Sequence, residues 1–396
     1  MRANQALVIE PAQSWKRLQG SKEFFLEHLE QQMKDNHQRF LEALMLYERG
    51  CFLNAQPYER REDRVDQANG FYQRQLTTRM GIMKLNVPRT RSGVFRTQVL
   101  RRYQRREKAV DQALKTVFLS GVSTRQAGPA LASLLDEAVS ASTVSAVARV
   151  LDEAVGRWHR RPIADHYRYL ILDAVSVRIR LIGKVQRRMV LCAYGMTLRG
   201  KRELIDFFIV KAEGEDTWKT FLLDLWRRGL KGQALELIST DGQSGAIKAL
   251  HYVWPHVQHQ RCWAHKLRNV ENKLKASQGD CLLEAKLIYQ APNQQAAAAA
   301  FRHWKQRWKA TAPAAVACLE RDIEELLAFY HTPKVHWKRL RTTNVIERLF
   351  VEVRRRIRTM CAFTTRSSCE RILYSVFDRM NRYWDRHPLH NFTQNN

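Results

Sequence analysis

The sequence has no long apolar run, few acidic residues for its size, and no glycine-rich loop of the Walker type. No stretch of 18 apolar residues occurs, so we predict no transmembrane helix. The first residues lack the apolar core of a signal peptide. The seven cysteines are irregularly scattered, which favours a reducing cytosol over a disulfide framework. These absences predict a cytoplasmic protein with no membrane partner, and they do not suggest ATP binding.

The charge balance predicts a polyanionic partner. The 396 residues include 67 Lys and Arg against 39 Asp and Glu, which gives a formal net charge of +28. A chain this basic usually binds nucleic acid, although a membrane surface or general basicity would also fit. The apolar content of 45% is enough for a sizeable core, and the length predicts two to four domains.

The first hundred residues predict a helix followed by a basic hairpin. Apolar residues recur every three to four positions over residues 21–50, which predicts a helix that ends at Gly50. Residues 74–78 and 82–87 predict two strands around a turn at Met80 and Gly81.

A strongly basic segment follows this hairpin. Residues 89–106 contain seven arginines and no acid, with Phe95 and Tyr103 between them. Such a segment can be a solvated loop, but its density of arginine and its aromatic residues favour contact with phosphates. The arginines predicted to bind DNA here are Arg89, Arg91, Arg96, Arg101, Arg102 and Arg105.

Residues 108–157 predict three helices joined by short turns. Gly121 is predicted to end the first helix, and Ser123 to Gln126 can form a capping box for the second. This layout is that of a helix-turn-helix domain, with Arg125 as a further DNA contact. An ordinary helical bundle has the same periodicity and remains the alternative.

Strand patterns replace helical ones from residue 163 to residue 265. Strands are predicted at 169–180, 187–194, 204–210 and 234–239, with a last one ending near Cys262. Together with two intervening helices, the order β-β-β-α-β-α-β is that of an RNase H-like core, in which the first and fourth strands are parallel neighbours. Residues 266–335 are helical and alanine-rich. The predicted fold is therefore α/β plus α, an RNase H-like mixed-sheet core interrupted by an all-helical insertion and preceded by a helical and β-hairpin DNA-binding region.

Three carboxylates are the candidate catalytic and metal-binding residues. Asp173 lies within an apolar run, Asp241 closes another, and Glu347 opens an arginine-rich helix. Phosphodiester chemistry needs a strong oxygen nucleophile and stabilisation of charge on two oxygens, which two Mg²⁺ ions about 3.5–4 Å apart supply. Carboxylates suit this cation, and Mn²⁺ is expected to substitute for it. We predict that Asp173 bridges the two ions and that Asp241 and Glu347 flank them.

Each carboxylate also has a purely structural interpretation. Asp173 could lie on an edge strand, although its apolar flanks predict burial, which is expensive for an unpaired aspartate. Asp241-Gly242 is a common turn dipeptide. Glu347 could occupy the third position of a helix capped by Asn344.

The helix that carries Glu347 has two predicted faces. Ile346, Leu349, Phe350, Val353 and Ile357 have the spacing of a core face. A neighbouring stripe holds Glu347, Val351, Arg354 and Arg358, which would place phosphate-binding groups beside a metal ligand. Further DNA contacts are predicted at Arg268, Arg348 and Arg355.

Cys262 and His265 have the spacing of half a zinc site. Four ligands are usual in structural zinc sites, and no second pair is evident nearby in the sequence. We therefore interpret Cys262, His265 and Asn344 as residues that support the carboxylates, pack around them or lie close to DNA.

These residues resemble the DDE transposases of the bacterial Mutator-like insertion-sequence family over about residues 60–380. The motifs that carry the resemblance are Asn-Gly-Phe at 69–71, Val-Pro-Arg at 87–89 with Arg91, Gly93 and Phe95, Gly-Val-Ser-Thr-Arg at 121–125, Leu-Asp-Ala at 172–174, Asp-Gly at 241–242, Gln-Arg-Cys-Trp-Ala-His at 260–265 with Arg268 and Asn269, and Thr-Thr-Asn-Val-Ile-Glu-Arg at 342–348. The long interval between Asp241 and Glu347 fits the helical insertion of that family. Phe350 stands where relatives often have a polar residue, so we expect a local difference in packing.

The resemblance implies an RNase H-like catalytic domain with Asp173, Asp241 and Glu347 as its metal-binding triad. It implies an N-terminal region that binds terminal inverted repeats, cleavage that frees a 3′-OH, and attack of that 3′-OH on target DNA. Members generally act as homodimers, and many pass through a circular intermediate. The expected location is the cytoplasm, in association with the nucleoid.

The predicted organisation has six parts. They are an N-terminal helical segment at 1–57 that could dimerise, a basic hairpin region at 58–107, a helix-turn-helix-like domain at 108–160, the first part of the core at 161–265, a helical insertion at 266–336, and the completion of the core at 337–396. The alternatives to a transposase are a catalytically silent DNA-binding regulator and an RNase H-like nuclease that does not join strands.

Overall fold

The protein, examined as a computed structural model, divides into two units, Met1–Arg149 and Val150–Asn396. The structure describes residues 15–16, 19, 22–56, 58–119, 122, 124–135, 139–358 and 361–389. The predicted helix end at Gly121 and the predicted cap at Ser123 lie outside these residues. The finer six-part division stays a prediction.

The first unit contains a long helix packed on a two-stranded sheet. Helix α1 (Lys22–Leu53) precedes strands β1 (Ala68–Thr78) and β2 (Gly81–Thr90), which pair antiparallel as a hairpin. This confirms the predicted hairpin, although both strands are longer than expected. The predicted end of the helix at Gly50 is wrong. One glycine in a helix costs only about 1 kcal/mol, and the last turn is held by the buried Leu53.

A small apolar core holds this hairpin to α1. Most successive residues of β2 alternate between buried and less buried positions, as expected for a strand covered on one side. The buried members of the core are Met45, Leu76, Met83, Leu85, Val87 and Leu100.

Helices follow the basic segment, as predicted. They are α2 (Lys108–Leu119), α3 (Thr124–Ala130), α4 (Ala132–Leu135) and α5 (Ala141–Arg160). The predicted middle helix is divided into α3 and α4 at Leu131, shortly after Pro129.

A five-stranded mixed sheet forms the centre of the second unit. The strands are β3 (Tyr167–Leu181), β4 (Lys184–Thr197), β5 (Arg202–Val210), β6 (Leu237–Thr240) and β7 (Gln258–Arg261), in the order β5-β4-β3-β6-β7. The first three pair antiparallel, whereas β3, β6 and β7 pair parallel. The expected parallel pairing of the first and fourth strands is present. The predicted fourth strand began too early, because residues 234–236 precede β6.

The connections explain this topology. Ile182 and Gly183 both have positive φ angles, 48° and 75°, and close the two-residue hairpin between β3 and β4. The parallel strands need longer crossovers, which are α6 (Glu215–Arg227) and α7 (Ser244–Val253).

The two faces of the sheet are covered by different helices. Leu170 and Leu172 belong to the apolar cluster that also contains Trp218 and Leu250 of α6 and α7. Because neighbouring residues on a strand alternate between faces, Asp173 lies on the opposite face.

The C-terminal helices α14 (Asn344–Arg358) and α15 (Arg366–Arg386) complete the second unit. The ring of Tyr194 on β4 lies 5.3 Å from that of Trp384, and the ring of Phe207 on β5 lies 5.2 Å from that of Phe377. These contacts pack α15 on the sheet.

A run of helices separates β7 from α14. It comprises α8 (Trp263–Glu271), α9 (Gly279–Gln290), α10 (Gln294–Trp308), α11 (Pro313–Glu320), α12 (Ile323–Leu327) and α13 (Trp337–Leu340). The alanine run lies in α10, which confirms that it is helical. Trp304, Leu319 and Leu326 of these helices are buried. Within the described ranges, no helix has the length and apolar character needed to cross a membrane.

Candidate functional site

The register of two parallel strands brings Asp173 close to Asp241. Ile171 on β3 pairs with Ser239 on β6. Continuing this register by two residues places Asp173 opposite Asp241, which follows directly after the end of β6. Two acids that are 68 residues apart in the sequence are therefore neighbours where β6 ends beside β3.

Asp173 has a buried carboxyl group whose pKa is affected by the charges of both other predicted acids. Its residue is 8% exposed, and its Oδ1 accepts a hydrogen bond of 2.8 Å from the amide of Ala174. Burial, with the negative charges of Asp241 and Glu347, raises the pKa of Asp173 to about 7. Asp241 and Glu347 therefore both lie within electrostatic reach of Asp173.

Asp241 lies in a tight turn that leads into α7. Its Oδ1 accepts a hydrogen bond of 2.9 Å from the amide of Gln243. Gly242 has a φ of 94°, and a Cβ there would lie 2.3 Å from a guanidinium nitrogen of Arg261. The turn interpretation of Asp241-Gly242 is therefore correct, and it also fixes the carboxylate beside the sheet.

Glu347 lies in the first turn of α14. The carbonyl of Thr343 accepts the amides of Ile346 at 3.0 Å and Glu347 at 3.1 Å. This makes Thr343 the N-cap, so the prediction of Asn344 in that position is wrong by one residue. Four residues of the predicted core face of α14 are buried, namely Ile346, Leu349, Phe350 and Val353. The side chain of Ile357, the fifth, lies outside the description.

Cys262 and His265 lie at the start of α8 and contact the Glu347 helix. His265 Nε2 is 3.4 Å from Glu347 Oε1, and His265 Nδ1 is 3.4 Å from Thr343 Oγ1. The hydrogen bond with Cys262 and the nearby carboxylates raise the pKa of His265 to about 9. Burial would raise the pKa of the Cys262 thiol, but hydrogen bonds from His265 and Thr343 lower it on balance.

A cleft of about 460 Å³ gathers much of the predicted site. The predicted residues that line it are Asp173, His265, Arg268, Asn344, Glu347, Arg348 and Arg354. Arg355 and Arg358 lie on the same helix but do not line the cleft, and Arg355 is 3.7 Å from Glu352 instead.

A second concavity, of about 1130 Å³, lies in the first unit. It is lined by the arginines Arg74, Arg89, Arg96, Arg102, Arg105 and Arg106, and no Asp or Glu is among the described residues around it. We call this surface the arginine cavity. Sequence reasoning missed Arg74 and Arg106 as lining residues.

The other predicted DNA contacts of the first unit lie elsewhere. Arg91 Nη1 donates a hydrogen bond of 3.1 Å to Gln67, in a separate concavity that also contains Asp66. Arg101 does not line the arginine cavity, and its carbonyl accepts a bond of 3.0 Å from Arg74. Arg125 is exposed on α3.

The donor chemistry of the cleft fits Mg²⁺, although its ligands are not yet gathered around one point. Carboxylate oxygens are the ligands that this cation prefers. Among the described residues, Asp173 and Asp241 have no cationic side chain at ion-pair distance, whereas the buried Asp206 contacts the guanidinium of Arg228 and the imidazole of His159. The described ranges contain no group of three His, Cys, Asp or Glu close enough to hold an ion as they stand. Side-chain movement would therefore accompany binding.

Sequence comparison identifies relatives over most of the chain. Residues 9–387 match the model of a family described as Transposase, Mutator family. The chain is 35% identical to the transposase for insertion sequence element ISRM5 of Rhizobium meliloti, over 84% of this chain and 83% of the relative. It is 35% identical to the transposase of IS256 in transposon Tn4001 from Staphylococcus aureus, over 86% and 88%. It is 32% identical to the IS1081 transposase of Mycobacterium tuberculosis, over 87% and 83%.

Proposed function

Because the chain belongs to the Mutator family of transposases, we propose that it is a DDE transposase whose catalytic carboxylates are Asp173, Asp241 and Glu347. It would bind the terminal inverted repeats of its insertion sequence, cleave a strand to free a 3′-OH, and transfer that end to target DNA. The observation that carries this proposal is that Asp173 and Glu347 line one cleft, while strand pairing brings Asp241 close enough for its charge to act on Asp173.

The sheet supports the fold part of the proposal. The strand order β5-β4-β3-β6-β7, with two parallel and two antiparallel pairings, is the order expected of an RNase H-like core. The helical segment 266–336 would then be its insertion. This interpretation explains why Glu347 follows Asp241 at such a distance in sequence and still lies in the same cleft as Asp173.

The three carboxylates would hold two Mg²⁺ ions, for which Mn²⁺ would substitute, with Asp173 as the bridging ligand. When bound, the metal supplies an activated oxygen nucleophile and stabilises charge on the leaving oxygen. Arg268, Arg348 and Arg354 line the same cleft and would bind backbone phosphates beside the scissile bond.

The arginine cavity would contribute the sequence-independent part of DNA binding. Its lining groups are cationic, and phosphate contacts of this kind dominate affinity for DNA. We further propose that the protein acts as a homodimer on paired element ends, in the cytoplasm and in association with the nucleoid.

A cleavage and joining assay tests the proposal. Labelled duplexes carrying the ends that flank the gene are incubated with Mg²⁺ and wild-type protein, Glu347→Gln or Glu352→Gln. Glu352 lies on the same helix but pairs with Arg355 and Arg379, so it serves as the matched control. We expect joined products from wild type and Glu352→Gln, and none from Glu347→Gln.

Other outcomes would identify the alternatives. Cleaved ends without joined products would indicate an RNase H-like nuclease. Specific binding of the ends without cleavage by any of the proteins would indicate a silent regulator.

A further inference from the structure

The segment that leads into the Glu347 helix is tied to the strand that leads into Asp241. Ser239 Oγ donates a hydrogen bond of 2.9 Å to the carbonyl of Leu340. The amide of Trp263 donates one of 2.9 Å to the carbonyl of Arg341. Ser239 of β6 and Trp263 of α8 therefore each bind a backbone carbonyl in the segment just before α14.

Cys262 makes the third and most direct tie. Its amide donates a hydrogen bond of 2.8 Å to the carbonyl of Thr240, the residue before Asp241. Its Sγ accepts the amide of Thr343 at 3.2 Å and the Thr343 hydroxyl at 3.4 Å. Both residues are fully buried. One cysteine thus bonds to the neighbour of one candidate ligand and to the cap of the helix that carries another.

His265 extends this connection to the carboxylate itself. It lies one turn into α8 from Cys262, with one ring nitrogen near Thr343 Oγ1 and the other near Glu347 Oε1, both at 3.4 Å. A buried thiol commonly serves only as a small apolar group. Here its hydrogen bonds converge on the first turn of α14, which favours a role in placing Glu347.

We propose that Cys262, Thr343 and His265 form a clip that sets the position of Glu347 relative to Asp241, and that these are positioning residues for the metal-binding carboxylates. The inference rests on the proposed function. It follows that loss of the clip would weaken metal binding while leaving the fold in place, since groups that orient metal ligands typically contribute about 10–100-fold in metal affinity.

Substitutions at Thr343 give the sharpest test. Thr343→Val keeps the shape and the backbone amide but removes the hydroxyl, whereas Thr343→Ser keeps the hydroxyl. Cys262→Ala removes the acceptor, and Cys262→Ser retains a smaller one. Cys281→Ala is the matched control, because Cys281 is fully buried in α9 and belongs to neither the clip nor the cleft.

Two readouts are measured on the full chain. The first is the Mg²⁺ concentration for half-maximal strand joining, recorded separately from the maximal rate. The second is the rise in Tm that Mg²⁺ produces without DNA. We expect Thr343→Val and Cys262→Ala to need roughly tenfold more Mg²⁺ in both. Thr343→Ser is expected to stay within about threefold of wild type, and Cys262→Ser to fall between wild type and Cys262→Ala.

The outcomes separate the clip from the function on which it rests. Thr343→Val and Cys262→Ala could lower the Tm, as Cys281→Ala would, and still respond to Mg²⁺ as wild type does. That result would overturn the proposed positioning role of the clip. Asp173→Ala must lose the Mg²⁺-dependent rise in Tm in the same experiment. If wild type itself shows neither joining nor a response to Mg²⁺, the proposed function fails and the clip fails with it.

Discussion

The arginine cavity of the first unit and the cleft of the second differ in the charges that line them. The cavity is lined by arginines without a carboxylate, whereas the cleft holds Asp173 and Glu347 beside several arginines. Of the six arginines that line the cavity, only Arg106 has a carboxylate partner at ion-pair distance among the described residues. In the second unit, Asp173 of the cleft and the nearby Asp241 likewise have no cationic partner at ion-pair distance among the described residues. Unpaired charge of one sign would attract phosphate, and unpaired charge of the other would attract a metal cation.

Elsewhere in the second unit, buried charges are paired. Asp206 is fully buried between Arg228 and His159, Lys266 is buried against Asp322, and Arg371 binds Asp152 through two bonds of 2.6 and 2.8 Å. Charges that stabilise the fold therefore have partners of opposite sign, whereas the charges without such partners remain available to a ligand.

The largest expected effect comes from removing an unpaired acid of the cleft. Asp173→Ala should lower the cleavage rate by on the order of 10³ or more, since catalytic groups that act as a unit fail together. Binding of the element ends should be retained, because the arginine cavity is unchanged. Gel-shift and strand-cleavage assays measure the two properties.

The exposed Asp216 on α6 provides the control for this substitution, since Asp216→Ala should leave both properties unchanged. Retained cleavage by Asp173→Ala would remove Asp173 from the active site.

The next effect concerns a paired acid. Asp206→Ala should lower the free energy of unfolding by about 3 kcal/mol, because the buried guanidinium of Arg228 would keep only the partly exposed Asp224 as an acidic partner. Urea denaturation measures this. Asp385→Ala, which removes an exposed partner of Lys201, should cost less than about 1 kcal/mol. Equal losses from the two variants would contradict the distinction between buried pairs and surface pairs.

A moderate effect is expected in the arginine cavity. The double variant Arg102→Ala/Arg105→Ala should reduce the slope of log Kd against log salt concentration by about 2, since each phosphate contact contributes roughly 0.9. The loss should be similar for specific and unrelated DNA. Arg101→Ala sharpens the test, because Arg101 lies outside the lining and should change the slope less. A larger change from Arg101→Ala would place the phosphates elsewhere.

The smallest effect is a pH dependence of stability. Burial opposes ionisation of Glu325, but hydrogen bonds from His259 and Arg261 outweigh it and lower its pKa to about 2. A lowered pKa in the folded state stabilises the protein above the unfolded pKa, and this stability is lost as pH falls towards 2. Glu325→Gln should therefore flatten the fall in Tm between about pH 4.5 and 2. Because this side chain is 35% exposed, the difference should be below about 1 kcal/mol.

Local patterns predicted the elements around the site well. The apolar flanks of Asp173 correctly predicted burial, and the spacing of Ile346, Leu349, Phe350 and Val353 correctly predicted the core face of α14. The predicted cap at Asn344 failed, because a cap depends on which carbonyl takes the first helical bond. The predicted end at Gly50 failed because packing of Leu53 outweighed the weak helix propensity of glycine.

Long-range partners were beyond the reach of these patterns. Cys262 was singled out for its spacing from His265, yet its hydrogen-bond partner Thr343 lies 81 residues further along the chain. Nothing in the residues near Thr343 indicates that pairing. The arginines of the basic segment were likewise found together, but not divided into those that line the cavity and those, like Arg91 and Arg101, that do not.

The sequence by itself determined the periodicity of the elements, the strand order that makes β3 and β6 parallel neighbours, and the excess of positive charge. These properties depend on residue type and on spacing within one element. Only the tertiary structure decided which residues line the cleft, which charges are paired, and which thiol contacts the cap of the Glu347 helix. Those outcomes depend on side chains from distant segments competing for the same buried space, and no local pattern records that competition.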